Sequence, residues 1–236
     1  MFPYIHEGGL QMVSKGSFVR ITYVGRIKET GELFDTTDAE IAKKEGVFNP
    51  KMKYGPVMIV VGEGKLVRGL DEVLAEMKAG DERALDIPPE KAFGPRSADL
   101  MRLVPLQEFK KQGFLPQQGM PITMNGLRGR VLSVSGGRVR VDFNHPLAGK
   151  ALAYTVRIEE QVEDKQRQAQ GLCDFYAMDA KVTLAGTGAE VFHEQELSPR
   201  TKKQLTDELK RHVGVADVKF VQPEKPKEAQ ATEKAA

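Results

Sequence analysis

The chain has 236 residues, enough for one to three domains and a sizeable core, which excludes a peptide hormone or a disulfide knot. Apolar residues make up 40% and charged residues 29% with a net charge of +2, the balance of a globular protein and not of a disordered one. The longest apolar run, Val57 to Val61, is far short of the roughly 20 residues a membrane-spanning helix needs, no signal pattern opens the chain, and one cysteine, Cys173, cannot close a bridge within it, so the expectation is a cytoplasmic protein with no membrane partner.

Residues 1–12 show no period and are set apart as an N-terminal extension. From Phe18 the sequence alternates, with Val19, Ile21 and Tyr23 on one face and Arg20 and Thr22 on the other, which marks a half-buried strand and turns Tyr23 inward. After the turn-like Glu29-Thr30-Gly31-Glu32, Leu33-Phe34 runs straight into Asp35, a carboxylate set against apolar sequence. That is either a turn residue bonding to Thr37 or part of a perturbed site, and the second reading is favoured. The strand Val57 to Val61 ends at Gly62-Glu63-Gly64; Leu70, Val73, Leu74 and Met77 then form one apolar helix stripe, with Gly80 expected as its C-terminal cap. Arg83 to Ile87 reads as a short strand stopped by Pro88-Pro89.

Between residues 96 and 142 the character changes. Asn125-Gly126 and Gly136-Gly137 are hairpin signals, Val139, Val141 and Phe143 alternate, and one short helix is expected near Gln107 to Gln112. Residues 95–143 hold eight bases against three acids, the basic part of the chain. No RNA-binding signature accompanies them, so nucleic acid is disfavoured as a partner and a solvated basic face is the simpler reading. After His145-Pro146-Leu147 the first pattern returns with Leu152, Tyr154, Val156 and Ile158 on one strand face. A β-rich basic module is thus inserted into another domain.

The polar stretch Glu159 to Gln170 reads as a linker or a short exposed helix. In the third unit Lys181 to Leu184 is a strand, Ser198-Pro199 starts a helix carrying Leu205, Leu209 and Val213, Gly214 ends it, and Val215, Val218 and Phe220 suit a closing strand. One helix between two strands is small for an independent core, so this unit either pairs with a second copy in a homodimer or packs on the preceding domain. The tail from residue 223, with its prolines and alternating charges, is expected to be disordered.

Much of the common catalytic chemistry is missing. His6, His145, His193 and His212 lack ligand spacing, Gly62-Glu63-Gly64 lacks the lysine and hydroxyl of a phosphate loop, and no Gly-x-Ser-x-Gly elbow exists. The expectation is a protein that works without metal, nucleotide or other cofactor.

Tyr23-Val24-Gly25, Leu33-Phe34-Asp35, Gly62-Glu63-Gly64-Lys65-Leu66-Val67-Arg68-Gly69-Leu70, Glu76-Met77-Lys78-Ala79-Gly80-Asp81 and Ala92-Phe93-Gly94, in that order over some 80 residues, resemble the FKBP-type peptidyl-prolyl isomerases. The insertion after Ala92-Phe93-Gly94, closed by Asn144 to Leu152, is similar to the SlyD-like branch, whose insert-in-flap domain binds unfolded chains, and residues 161–222 resemble the extra C-terminal domain of long archaeal members. The resemblance implies an α+β fold: a half-open antiparallel sheet wrapped on a short helix, with an inserted β-rich domain and a small C-terminal α/β domain. The units are 13–95 with 143–160 for the isomerase domain, 96–142 for a chaperone insert, and 161–222 for the C-terminal domain.

It also implies a proline pocket lined by Tyr23, Phe34, Asp35, Phe93 and Tyr154 as catalytic residues, with Val57, Leu66, Val67 and Leu70 binding substrate. Leu70 stands where the family's drug-binding members carry tryptophan, and Phe93 where tyrosine is usual. In the insert, Leu103, Leu106, Phe109 and Met120 are expected to be exposed for client contact, beside flexible methionines that suit promiscuous binding. The implied partners are unfolded or partly folded polypeptides with X-Pro bonds, and the alternative to an isomerase is a holdase chaperone.

Overall fold

The alternation that begins at Phe18 produces the central strand, β1 (Phe18–Ile27), which buries Val19 and Ile21 on one face and Phe18 on the other. In the computed structural model, which describes residues 12–176 and 179–222, β1 is followed by β2 (Leu33–Thr36), the helix α1 (Ala39–Lys44), β3 (Val57–Val60), α2 (Arg68–Leu74) and β4 (Glu82–Ile87). The expected extension falls almost wholly on residues 1–11 and the expected tail on residues 223–236, both outside the described residues. Met12, the last residue of that extension, bridges to Lys78, and the Val13 N–H donates to the Met77 carbonyl at 3.0 Å.

The insert follows: β5 (Met101–Pro105), α3 (Leu106–Lys111), β6 (Pro121–Met124), β7 (Leu127–Ser135) and β8 (Arg138–Asp142). The chain then returns to the first sheet as β9 (Leu152–Gln161). That sheet is antiparallel, with β9 between β1 and β4, while β2 and β3 share the other edge of β1, β3 against Phe18 to Ile21 and β2 against Val24 to Arg26. Leu70, Leu74 and Met77 bury themselves under its concave face with Ile21, Ile59, Leu152, Val156 and Ile158. The fold is α+β, a half-open antiparallel sheet around a short helix, as the resemblance implies.

Gly80 does not cap α2. The helix ends at Leu74, and looser turns carry the chain on to Met77, so the fourth residue of the stripe stays buried without being helical. Gly80, at φ +90°, belongs to the turn into β4 and donates its N–H to the Ile158 carbonyl at 2.7 Å. Helix α1 carries no apolar stripe to announce it; the Asp38 carboxylate caps it by accepting from the N–H groups of Glu40 and Ile41.

The insert has its own core, in which Phe109, Ile122, Val131, Val139, Val141 and Phe143 pack between α3 and a sheet ordered β5-β8-β7-β6. Both expected hairpins form, with Asn125-Gly126 and Gly136-Gly137 in the left-handed region that two-residue turns of this kind require. The two crossings into the insert are latched together: Ser97 N–H donates to Asn144 Oδ1 at 2.8 Å, Asn144 Nδ2 donates back to the Ser97 carbonyl at 3.0 Å, and Arg96 pairs with Asp142.

The C-terminal unit is larger than the pattern suggests. Of the two readings of Glu159 to Gln170 the helix holds in part, but it is neither short nor exposed: the first three residues finish β9, and Lys165 begins α4 (Lys165–Tyr176), which buries Ala169, Gly171, Leu172 and Cys173. It is joined by β10 (Lys181–Ala185), β11 (Gly188–Phe192), α5 (Pro199–Glu208) with a π-helical last turn to Val213, and β12 (Asp217–Val221). β11 escaped the sequence reading, and it lies between β10 and β12, so the unit has two helices and three strands instead of one and two. Within the chain, the unit packs on the isomerase sheet. Phe18 and Val60 join its core, and Gly171 lets α4 ride so close to β3 that a Cβ there would stand 2.4 Å from Met58 Cγ. Burial, then Asp174, pushes the Cys173 thiol up to about 12, an inert group. No helix among the described residues is long and apolar enough to cross a membrane.

Candidate active site

Strand pairing explains how a carboxylate comes to lie among aromatic rings. Gly25 of β1 faces Asp35 of β2 and Arg26 faces Leu33, so Phe34 is an extra residue, a bulge that lets neighbouring side chains of β2 turn toward the same side. Asp35 lies diagonally across from Tyr23, within reach of a long side chain, and the Tyr23 hydroxyl donates to Asp35 Oδ2 at 2.9 Å. Thr37 instead bonds the Tyr23 backbone, its Oγ1 accepting from Tyr23 N–H at 2.9 Å, so Asp35 is not the simple turn residue.

The rings are placed by Gly25. It faces Tyr154 on β9, and a Cβ at Gly25 would lie 2.8 Å from Phe34 Cζ and 3.0 Å from Tyr154 Cε1. The freed space lets Phe34 meet Tyr154 edge-on, centroids 5.6 Å apart, and Tyr154 meet Tyr23 at 6.0 Å. Burial, reinforced by the Asp35 charge and its hydrogen bond, drives the Tyr23 hydroxyl far above its ordinary ionisation range, and burial with Asp35 does the same to Tyr154. Both phenols stay neutral.

These side chains open onto a cavity of about 490 Å³ between α2 and the sheet. Tyr23, Asp35, Val57, Leu66, Val67, Leu70, Phe93 and Tyr154 line it, with the fully buried Leu70 contributed by α2. Phe34, expected as a catalytic residue, is not among the lining residues; it packs edge-on behind Tyr154, which is. At the start of α2 no side chain caps the helix, and among the described residues nothing accepts a hydrogen bond from the Val67 N–H. The Gly62 to Gly64 loop before it is tied down by Asp71, whose carboxylate accepts from Gly62 N–H at 2.8 Å and Gly64 N–H at 3.3 Å.

Sequence reasoning missed Ile59, Lys65, Arg68, Ala92 and Phe175 in the lining. Four of these sit in or beside the quoted motifs, but Phe175 comes from α4 of the C-terminal unit and no local signal marked it. His145 was missed as well; its ring stacks on Phe93 at 4.3 Å and 7°, which joins the loop returning from the insert to the cavity rim. Lys65 is held by the C-terminal unit, donating to Glu208 Oε1 at 2.6 Å and to the Tyr176 hydroxyl. Burial opposes both charges, yet these bonds hold Lys65 above and Glu208 below their ordinary ranges.

In the insert the expected contact residues separate. Leu103 is 63% exposed, on the face it shares with Arg140, and Leu106 and Met120 are partly covered by the module's core. Phe109 contradicts the expectation: it is 1% exposed, because α3 has a single deep residue and that residue fills the centre of the small sheet. Leu115, at 62%, is an exposed apolar residue the reading did not choose.

Residues 9–108 match the family model for FKBP-type peptidyl-prolyl cis-trans isomerase, and residues 102–147 match that for the FKBP26 IF domain. The chain is 34% identical over 151 residues to a short-type peptidyl-prolyl cis-trans isomerase of Methanocaldococcus jannaschii, an alignment that covers 64% of this chain and 95% of that protein. It belongs to the FKBP-type peptidyl-prolyl cis-trans isomerases. Two more relatives share the FKBP-type description: a 16 kDa isomerase of Escherichia coli K12, 29% identical over 56% of this chain and 85% of its own, and SlyD of Helicobacter pylori, 26% identical over 71% of this chain and 90% of its own. As an FKBP-type isomerase the chain acts on X-Pro peptide bonds.

Proposed function

We propose that this isomerase serves folding proteins: the aromatic cavity grips a half-rotated X-Pro imide, and residues 96–142 hold unfolded segments of the same client beside it. Twisting a peptide bond costs about 18–20 kcal/mol because amide resonance is lost, and no bond to another atom has to form. A site lowers that barrier by binding the twisted form better than either planar isomer. The walls of Val57, Leu66, Leu70, Phe93 and Tyr154 favour the less polar twisted imide, with Leu70 as a floor that accepts a pyrrolidine ring. Asp35, oriented by Tyr23, stands where it can interact with the rotating carbonyl carbon, and the Val67 N–H is free to hold a substrate carbonyl.

The observation that carries this reading is the Tyr23–Asp35 hydrogen bond inside an apolar cavity, a polar pair with a neutral, fixed donor. For the insert, the support is an exposed apolar surface at Leu103 and Leu115 on a module latched close to the cavity rim through Asn144 and His145. Capture there raises the local concentration of the client's prolines at the cavity. A single buried thiol suits the reducing cytoplasm, where we place the protein.

The test compares the full chain with a variant lacking residues 96–142 in two assays. Tetrapeptide isomerisation should survive the excision, while catalysis of a proline-limited refolding reaction should fall by an order of magnitude or more. Unchanged refolding catalysis refutes the capture role. Suppressed aggregation with no acceleration of either reaction supports the holdase alternative instead.

A further inference from the structure

The isomerase cavity continues into the C-terminal unit. A second cleft, about 500 Å³, opens between α4 and the segment entering β3, and it shares two walls with the proline cavity, Val57 and Phe175. Its volume lies in the range of ordinary small-ligand pockets. Tyr54, Pro56 and Met58 form one side and Gly171 and Asp174 part of the other. The apolar surface runs on past it: Phe48, 41% exposed, stacks on Tyr54 with centroids 5.2 Å apart, and Val47 and Met52 are half exposed. Phe175 itself is 47% exposed.

The charges around this cleft are paired with one another. Arg20 and Arg167 both reach Glu160 Oε1, at 3.4 and 2.5 Å, and Lys53 lies 3.6 Å from Asp174 Oδ1. A cleft whose ions satisfy each other selects for an uncharged guest. Its two walls are in close contact at their base, where Gly171 seats α4 directly on Met58.

We infer that this cleft is a second substrate subsite of the isomerase, which takes an apolar or aromatic side chain of the same client whose proline occupies the aromatic cavity. The inference rests on the reading of that cavity as the proline site. An extended chain advances about 3.3 Å per residue, so a side chain two to four positions from the proline lies about 7–13 Å away, the scale of two adjoining pockets. Phe175 forms the partition and contacts both guests. The C-terminal unit thereby sets which sequences around a proline are turned fastest.

The test uses the full-length protein, a tetrapeptide centred on Ala-Pro, and decapeptides with the same centre carrying either phenylalanine or serine three positions before or after the proline. Rates are read by NMR exchange spectroscopy, and amide shifts are followed at Gly55 and Gly171. One phenylalanine decapeptide should exceed its serine counterpart about fivefold to tenfold in kcat/KM and move both amides. Phe175→Ala, and separately Tyr54→Ala, should cut that ratio to about twofold or less, with fold checked by spectral dispersion. Equal rates for phenylalanine and serine with Gly55 and Gly171 unmoved, while the tetrapeptide is still accelerated, overturn the subsite and leave the proline site standing. A phenylalanine advantage that disappears when residues 96–142 are removed overturns it too, because the insert then supplies the contact. If the tetrapeptide is not accelerated at all, the proline-site reading itself has failed, and the subsite with it.

Discussion

Tyr23→Phe is the sharpest probe of the polar pair in the cavity. The substitution keeps the ring against Tyr154 and removes only the hydroxyl that donates to Asp35 at 2.9 Å. A hydrogen bond to a charged partner is worth about 1.5–3 kcal/mol, and the lower end applies because water entering the open cavity replaces part of the lost bond. A loss of about 1.5 kcal/mol in transition-state binding is about a tenfold fall in kcat/KM. If Tyr23 acts by orienting Asp35, its effect vanishes once the carboxylate is gone, so Tyr23→Phe with Asp35→Ala should be within about twofold of Asp35→Ala alone. The assay is protease-free isomerisation of an Ala-Pro tetrapeptide, with circular dichroism to show that each variant is folded. Losses that simply multiply in the double variant refute the orienting role.

Gly25→Ala forces a methyl into space already held by Phe34 and Tyr154, so it should destabilise the fold by about 1–3 kcal/mol and depress isomerisation by displacing Tyr154; chemical denaturation and the tetrapeptide assay together check this, and undiminished activity would show that the ring positions are not critical. Alkali should also destabilise the protein. Tyr23 and Tyr154 are held neutral by burial and by Asp35, whereas in the unfolded chain they ionise near pH 10, so their contribution is complete below about pH 10 and is lost as pH rises above it. Tyr154→Phe should flatten that alkaline slope in urea melts recorded from pH 8 to 11, and an unaltered slope would contradict the assignment.

The isomerase core was legible because its strands alternate strictly: Val19, Ile21 and Tyr23 on β1 and Leu152 to Ile158 on β9 turn to one side by geometry alone. The pocket residues followed from motif blocks rather than pattern, since Val57, Leu66 and Leu70 look like plain core residues in sequence. What escaped was decided by packing between units. Helix α4 opens on the polar run Lys165 to Gln168, and its buried stripe, Ala169, Leu172 and Cys173, holds one large apolar residue, so the polar stretch hid it and Phe175 near its end carried no signal. Phe109 was misplaced for a related reason: a four-stranded module has one sheet face to cover, and its short helix must spend its largest apolar residue there. Leu103 stayed exposed because its strand position points away from that face.

The central claim is that the aromatic cavity beside Asp35 binds a half-rotated imide more tightly than either planar isomer. Its most direct test is two-dimensional NMR exchange on an Ala-Pro peptide with catalytic amounts of the purified protein. The account predicts cis–trans cross-peaks that grow with enzyme concentration and fall back with Asp35→Ala, at an unchanged cis:trans ratio. Cross-peaks no stronger than in the protein-free sample would contradict it.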